Sequence, residues 1–415
     1  MARLLLLSNG HGEDLSGALL GQALLKQGHQ VDALPLVGSG QPYRDGQIAV
    51  VVSTREFSTG GLGYTSLRGR LTELIQGQVL HLLQALLRLL RIRRRYDLVV
   101  VIGDVIPVMA AWLCARPVAT YLVAYSSHYE GRLNLPWPCG TCLASERFRA
   151  VFSRDLLTAK DLSAQLGRPV QFVGNPFMDP VLAPAPALPA RRRRLALLPG
   201  SRRPELEHNL LLLLRAVEAL PAPLFSTGEL AIDLALIRSL SDQSLEALVA
   251  PKGWQLQPTR LQPTISSAGE LARLVNGPRQ VLVHRGAFAA VVQNANLVLA
   301  MAGTATEQAV GLAKPVVQMA GAGPQFTASF AEAQRRLLGP TVFCAEGESG
   351  EQATVLATAR LVLDLLERSV QDRQLQRLCR QQADKRLGSM GGADQMATAI
   401  SALLTSTPSV VPHQP

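Results

Sequence analysis

The sequence predicts an α/β protein of two doubly wound, Rossmann-like domains with a ligand cleft at the carboxyl ends of the strands, and three observations carry that expectation. The chain has 415 residues, more than the roughly 250–300 that one hydrophobic core organises. Short apolar runs alternate with helical patterns in both halves, the signature of parallel strands joined by crossover helices. Between the halves, residues 175–190 contain five prolines and lose all periodicity, which reads as a linker.

In the first half, strands are expected over residues 4–7, 30–34, 48–52, 97–102, 118–123, 150–152 and 170–173, with helices over 15–27 and 108–115. In the run Asp97-Leu-Val-Val-Val-Ile102 the five residues after the aspartate are continuously apolar, as a strand covered on both faces requires. In the second half, strands are expected at 195–198, 280–283, 297–300 and 316–318. Helices are expected at 204–219, 306–311, 327–338, 351–368 and 370–384. The expected division is a first Rossmann-like domain over 1–178, a Pro/Arg-rich linker over 179–194, a second Rossmann-like domain over 195–400 and a disordered tail over 401–415.

Composition narrows the function. The net charge is +10, and only five of the 41 basic residues are lysine. Arginine is the fork that meets phosphate and carboxylate at two points, so an anionic ligand or surface is expected. Aromatic residues are 5% of the chain, too few for a reader of single-stranded nucleic acid built on stacking. Five cysteines do not form a disulfide framework in a chain this long. Cys139-Gly-Thr-Cys142 lacks the second pair of a zinc knuckle and reads as two ordinary thiols. No signal peptide and no run of 18 uncharged apolar residues is visible, so a cytoplasmic protein is expected.

Four turns follow strands and hold chemistry. Ser8-Asn-Gly-His-Gly-Glu-Asp14 combines a flexible turn (Gly10, Gly12) with His11, Glu13 and Asp14. Its acids either serve a reaction or complement the following helix N-terminus. Gly103-Asp104 ends the strongest strand and sets a carboxylate on the ligand face, as a general base or a helix cap. Pro199-Gly-Ser-Arg-Arg-Pro-Glu205 brings Gly200, Ser201 and Arg202 to a helix start that suits a phosphate. Gly303-Thr-Ala-Thr-Glu307 offers Thr304 and Thr306 to phosphate oxygens and Glu307 to vicinal ribose hydroxyls. Two phosphate-type turns with a carboxylate beside one describe a nucleoside-diphosphate pocket. No G-x-x-x-x-G-K-[ST] loop is present, which argues against ATP hydrolysis.

Leu198-Pro-Gly-Ser-Arg-Arg-Pro-Glu205 resembles the L-P-G-S-R-x-x-E signature of lipid-A-disaccharide synthase, and Phe172-Val-Gly-Asn-Pro176 resembles its F-V-G-H-P segment. Gly303-Thr-Ala-Thr-Glu307 with Gly311-Leu-Ala-Lys-Pro315 resembles S-G-T-A-T-L-E…K-P, and Arg386-Leu-Gly-Ser-Met-Gly-Gly-Ala393 resembles the family's C-terminal Gly-rich turn. The order is kept from 172 to 393. The sequence is most similar to the lipid-A-disaccharide synthase-related branch. That resemblance implies a GT-B glycosyltransferase, inverting and metal-independent, with no cofactor and a UDP-sugar as co-substrate. It implies a lipid or glycolipid acceptor and leaves a homodimer open. By motif, Gly200, Ser201, Arg202, Glu205, Gly303, Thr304, Thr306 and Glu307 hold the nucleotide-sugar; Gly12, Tyr125, His128 and Asn175 fall on the acceptor side. Where the family often carries two acids in G-I-D-x-P-D, Gly103-Asp-Val-Ile-Pro107 has one. The base is therefore open among Asp104, His11 and Glu13. A degenerate nucleotide- or glycolipid-binding protein and a nucleotide-sugar 2-epimerase are the alternatives.

Residues 67–95 read as one long helix ending in Arg88, Arg91, Arg93, Arg94 and Arg95. It suits either an anionic cytoplasmic membrane surface or a core position whose cations complement its C-terminal dipole.

Overall fold

The computed structural model describes residues 1–52, 54, 78–129, 131–258, 270–321 and 327–405. The chain divides into two compact units, Met1–Asp179 with Gly388–Pro415, and Pro180–Leu387.

Unit 1 is built on β1 (Arg3–Ser8), β2 (Gln30–Pro35), β3 (Ala49–Val50), β4 (Leu98–Ile102), β5 (Val118–Leu122) and β6 (Phe148–Ser153), in the order β3-β2-β1-β4-β5-β6. Every pairing is parallel. Leu4 to Leu7 are wholly buried, and each such side chain contributes about 1.5–3 kcal/mol. One face carries α1 (His11–Lys26) and α2 (Gln41–Asp45). The other carries α3 (Gln78–Ile92), α4 (Val105–Leu113), α5 (Cys139–Ala144) and α6 (Leu156–Leu166). The strand expected at 170–173 is only a bridge between Phe152 and Gln171. Of the helix expected over 67–95, residues 67–77 lie outside the described residues.

Unit 2 contains β7 (Arg193–Leu198), β8 (Leu230–Leu236), β9 (Gln255–Pro258), β10 (Glu270–Asn276), β11 (Arg279–Arg285), β12 (Leu297–Ala300), β13 (Val316–Gln318) and β14 (Val342–Cys344), in the order β14-β13-β12-β7-β8-β11-β10-β9. The six strands from β14 to β11 are parallel, and β10 and β9 extend the sheet antiparallel. Strand β8 escaped the sequence reading because Asp233 interrupts its apolar run. In the structure Asp233 is fully buried and paired with Arg194 and His284, so its charge is compensated. The helices that serve the site are α7 (Glu205–Glu218), α8 (Phe288–Asn294), α9 (Thr304–Gly311) and α10 (Ala328–Leu338).

Three boundary expectations are corrected. The proline-rich segment is not a free linker: Ala185 N donates to Gln293 Oε1 at 3.2 Å and Leu188 N to Asn294 Oδ1 at 3.2 Å, tying it to α8. The second domain does not run to 400. The chain returns to unit 1 as α11 (Gly392–Thr405), which packs on α1 through Met396, Ala397 and Ile400. Residues 401–405 are therefore helix rather than tail; 406–415 lie outside the described residues. The return is clasped by Asp179, whose carboxylate accepts from Gly391 N (2.7 Å), Gly392 N (3.1 Å) and Ala393 N (2.8 Å). A carboxylate is stabilising at a helix N-terminus, and a Cβ on Gly392 would lie 2.7 Å from Asn175 N. The Gly-rich turn at 386–393 is thus a backbone-on-backbone contact within unit 1.

Candidate functional site

In unit 1 strand order reverses at β1, with β2 on one side and β4 on the other, so a crevice opens past the carboxyl ends of β1 and β4. The turns after these strands meet there. Asn9 Nδ2 donates to both Asp104 oxygens, at 3.3 and 3.2 Å. Asn9 N donates to Glu13 Oε2 at 3.0 Å. Gly10 and Gly103, at φ 158° and 150°, flank the Glu13 carboxylate, and a Cβ on either would come within 3.3 Å of it. Asp104 caps α4, accepting from Ile106 N at 2.9 Å, and Tyr125 OH accepts from Val105 N at 3.1 Å. Burial raises the Asp104 pKa, opposed by the Ile106 amide and the Asn9 amide group. Asp104 is nevertheless only partly buried, so its carboxylate is a stronger proton acceptor than a free aspartate and is still reachable. Asn9 was not singled out by the sequence, although it joins the two turns.

Behind this crevice lies a buried trio. Tyr43 OH donates to Ser8 Oγ at 2.8 Å, and Ser8 Oγ donates to Asp14 Oδ1 at 2.6 Å. Burial pushes Asp14 up to about 7, against the pull of the Ser8 hydroxyl and the Gly40 amide. Gly17 admits Tyr43, whose hydroxyl would lie 2.1 Å from a Cβ there. A cavity of about 310 Å³ opens past β3, lined by Val51, Val52, His81, Gln84, Ala85 and Arg88.

The structure brings Glu13, Asp104 and Tyr125 together, with Gly12 in the first turn of α1. The His11 side chain lies outside the described residues. Two acceptor-side expectations are corrected. Asn175 is fully buried, accepting from Tyr121 OH and donating to Arg154 O at 2.9 Å; it is a structural bridge under the Gly-rich clasp. His128 has 6% of its side chain exposed and sits 3.7 Å from Asp155, which also caps α6 and accepts from Ser126 Oγ at 2.7 Å. That polar network orders the loop after β5.

In unit 2 the reversal falls at β7, between β12 and β8. The turns after β7 and β12 touch: a Cβ on Gly200 (φ 95°) would lie 3.2 Å from Met301 O. Buried Asn209, on α7, donates from Nδ2 to Pro199 O at 3.1 Å and Met301 O at 3.2 Å, and so holds the two turns in register. Ser201 is exposed; Arg202 and Glu205 are half-buried at the start of α7. Gly303 has open space where a Cβ would stand. Gln334, on α10, donates to Gly303 O at 3.1 Å and accepts from Gln318 Nε2 at 2.5 Å. Thr304 and Glu307 are half-buried in the first turn of α9. Thr306 is corrected: it is fully buried and donates to Ala302 O at 2.6 Å, so its hydroxyl serves its own helix.

All five cysteines are free, and burial pushes Cys139 up to about 12. Among the described residues no three of His, Cys, Asp and Glu gather as a metal-binding group, and no helix is long and apolar enough to cross a membrane.

No family model and no curated protein sequence matches the chain. Solved structures do. The calicheamicin glycosyltransferase CalG4 aligns over 98% of this chain and 100% of its own, with TM-score 0.57 and 16% identity. The spinosyn rhamnosyltransferase SpnG, complexed with spinosyn aglycone, aligns over 96% and 100%, with TM-score 0.53 and 14% identity. A UDP-GlcNAc 2-epimerase from Methanocaldococcus jannaschii aligns over 97% and 99%, with TM-score 0.52 and 13% identity. The chain thus has the fold of GT-B glycosyltransferases and of these epimerases: two Rossmann-like α/β units with parallel sheets.

Proposed function

We propose that the chain is a UDP-sugar-dependent GT-B glycosyltransferase, inverting and metal-independent, acting on a lipid-linked or otherwise hydrophobic acceptor. The observation that carries this reading is Asp104: a partly exposed carboxylate at the unit 1 switch point, held by Asn9 and made more basic by burial. In this reading Asp104 takes the proton of the acceptor hydroxyl. The oxygen attacks the anomeric carbon as the bond to the UDP oxygen breaks. Arg202, Ser201, Thr304 and the α9 N-terminus stabilise the departing diphosphate, and Glu307 accepts from the ribose. Glu13 supports Asp104 through the shared Asn9 contact.

The test is thermal stability with UDP, UDP-N-acetylglucosamine and ADP, for the wild type and Arg202→Ala. Selective stabilisation by the uridine compounds, lost in the variant, is expected; no shift with any nucleotide sinks the reading in favour of a degenerate binding protein. The epimerase neighbours favour a second reading, conversion of the UDP-sugar itself. Isomerisation with no acceptor present would select it.

A further inference from the structure

Asn9 is satisfied at one end of its amide and not at the other. Its Nδ2 donates to both oxygens of Asp104, at 3.3 Å to Oδ1 and 3.2 Å to Oδ2. Its own Oδ1 is buried with no hydrogen-bond partner among the described residues. An unfilled buried acceptor is unfavourable. Here the contact to a carboxylate offsets it, because a charge-assisted hydrogen bond is about twice as strong as a neutral one. The arrangement therefore suits an ionised Asp104.

The two carboxylate oxygens are not equivalent. Oδ1 is tied into the α4 cap, where it accepts from Ile106 N at 2.9 Å, which leaves Oδ2 to take a proton. Once protonated there, Asp104 turns an O–H toward Asn9, and two donors face each other. The last torsion of an asparagine side chain is broad and close to two-fold, and the two ends of its amide are nearly the same size. A half-turn brings Asn9 Oδ1 onto the Asp104 hydroxyl and fills the acceptor that was empty. The nitrogen then gives up a contact that has lost its charge.

We propose that Asn9 is a positioning residue for Asp104, whose amide turns over as Asp104 gains or loses a proton and so holds the carboxyl group in both states. Its part in sugar transfer rests on the reading of Asp104 as the base. In that reaction the acceptor O–H bond breaks and the proton goes to Asp104 Oδ2. The electron pair left on the acceptor oxygen forms the bond to the anomeric carbon, and the bonding pair of the breaking link leaves with UDP. The turned amide then keeps the neutral acid joined to the turn after β1. The backbone of that turn need not move, since Asn9 N still donates to Glu13 Oε2.

The other groups around Asp104 have different partners. Glu13 meets the backbone of Asn9, and Tyr125 OH accepts from Val105 N. Burial, then Cys142 and Asp104, push the Cys139 thiol up to about 12, so it stays protonated. The His11 side chain lies outside the described residues, so the titrating group is identified by substitution.

The test is a titration, from about pH 4 to about pH 8, of the Asn9 side-chain resonances in the isotope-labelled full chain. They are assigned by their absence in Asn9→Ser, and neither donor nor acceptor is added. On acidification the amide protons should move upfield as they leave the carboxylate. The Asn9 Cγ should move downfield as its oxygen gains a donor. Both changes should share one midpoint and vanish in Asp104→Asn, which retains the α4 cap because asparagine caps as well as aspartate. Asn9→Leu removes a donor that opposes the effect of burial on Asp104. The midpoint of the Asp104 carboxyl carbon should therefore move to higher pH. The inference is overturned if the Asn9 resonances do not follow pH, if the protons shift while Cγ does not, or if the titration persists in Asp104→Asn. Failure of uridine compounds to stabilise the chain would sink the proposed function and leave this result standing.

Discussion

The two units carry their candidate chemistry at the same topological place, the reversal point of a parallel sheet, and they close it with opposite chemistry. In unit 1 the turns after β1 and β4 are joined through carboxylates: Asn9 reaches Asp104 with its side chain and Glu13 with its backbone. In unit 2 the turns after β7 and β12 are joined through carbonyls, which Asn209 binds from below. On the proposed reading, tying up the carbonyls leaves the positive end of α9, Arg202 and Thr304 to meet a ligand. On that reading the same scaffold presents a proton acceptor in one unit and an anion cradle in the other, and the difference rests on which group each asparagine satisfies.

Four experiments break or sharpen that contrast. Asp104→Asn should cut turnover by about 10²–10⁴-fold, the usual worth of a general base, while stabilisation by UDP is unchanged. If transfer survives, the division between the units fails. Asp14→Asn should alter the pH profile of stability. The Asp14 pKa rises from 3.8 to about 7 on folding, so the folded state binds more protons than the unfolded state between those values. Stability then falls as pH rises through that window and levels above it. Removing the acid should stabilise the protein at pH 8 by up to about 4 kcal/mol and flatten the profile measured by thermal melting. Arg202→Ala should weaken UDP binding by about 10–100-fold, for one charge-assisted contact of about 1.5–3 kcal/mol, and should also lower kcat at saturating donor, because the same guanidinium would stabilise the departing diphosphate. Calorimetric titration with UDP measures it. Asn209→Ala should cost about 1–3 kcal/mol for the carbonyls left unpaired. The loss should be equal across pH 5–8, because nothing at that joint titrates; a pH-dependent loss would erase the contrast with Asp14.

The legible parts of the site were the turns. Gly103-Asp104 and Pro199-Gly-Ser-Arg202 each follow a strand, and a turn after a parallel strand lies on the ligand face wherever the strand sits. What stayed hidden were partners far apart in the chain. Asn9 and Asp104 are 95 residues apart, and Asn209 and Met301 are 92 apart; no local pattern marks either pair. Thr306, His128 and Asn175 differ from their expected place for another reason, since Thr306 bonds Ala302 only four residues away. A hydroxyl, imidazole or amide in a promising stretch has the same sequence signature whether it faces a ligand or bonds its own backbone.

The sequence by itself determined the α/β class, the strands that carry the motifs and the excess of arginine, because periodicity and composition are local quantities. The tertiary structure alone decided that 392–405 closes on unit 1, that Asp179 clasps it, and that Asn9 meets Asp104. Each of these depends on which surfaces meet, and an amphipathic or Gly-rich segment fits several partners equally well until packing selects one.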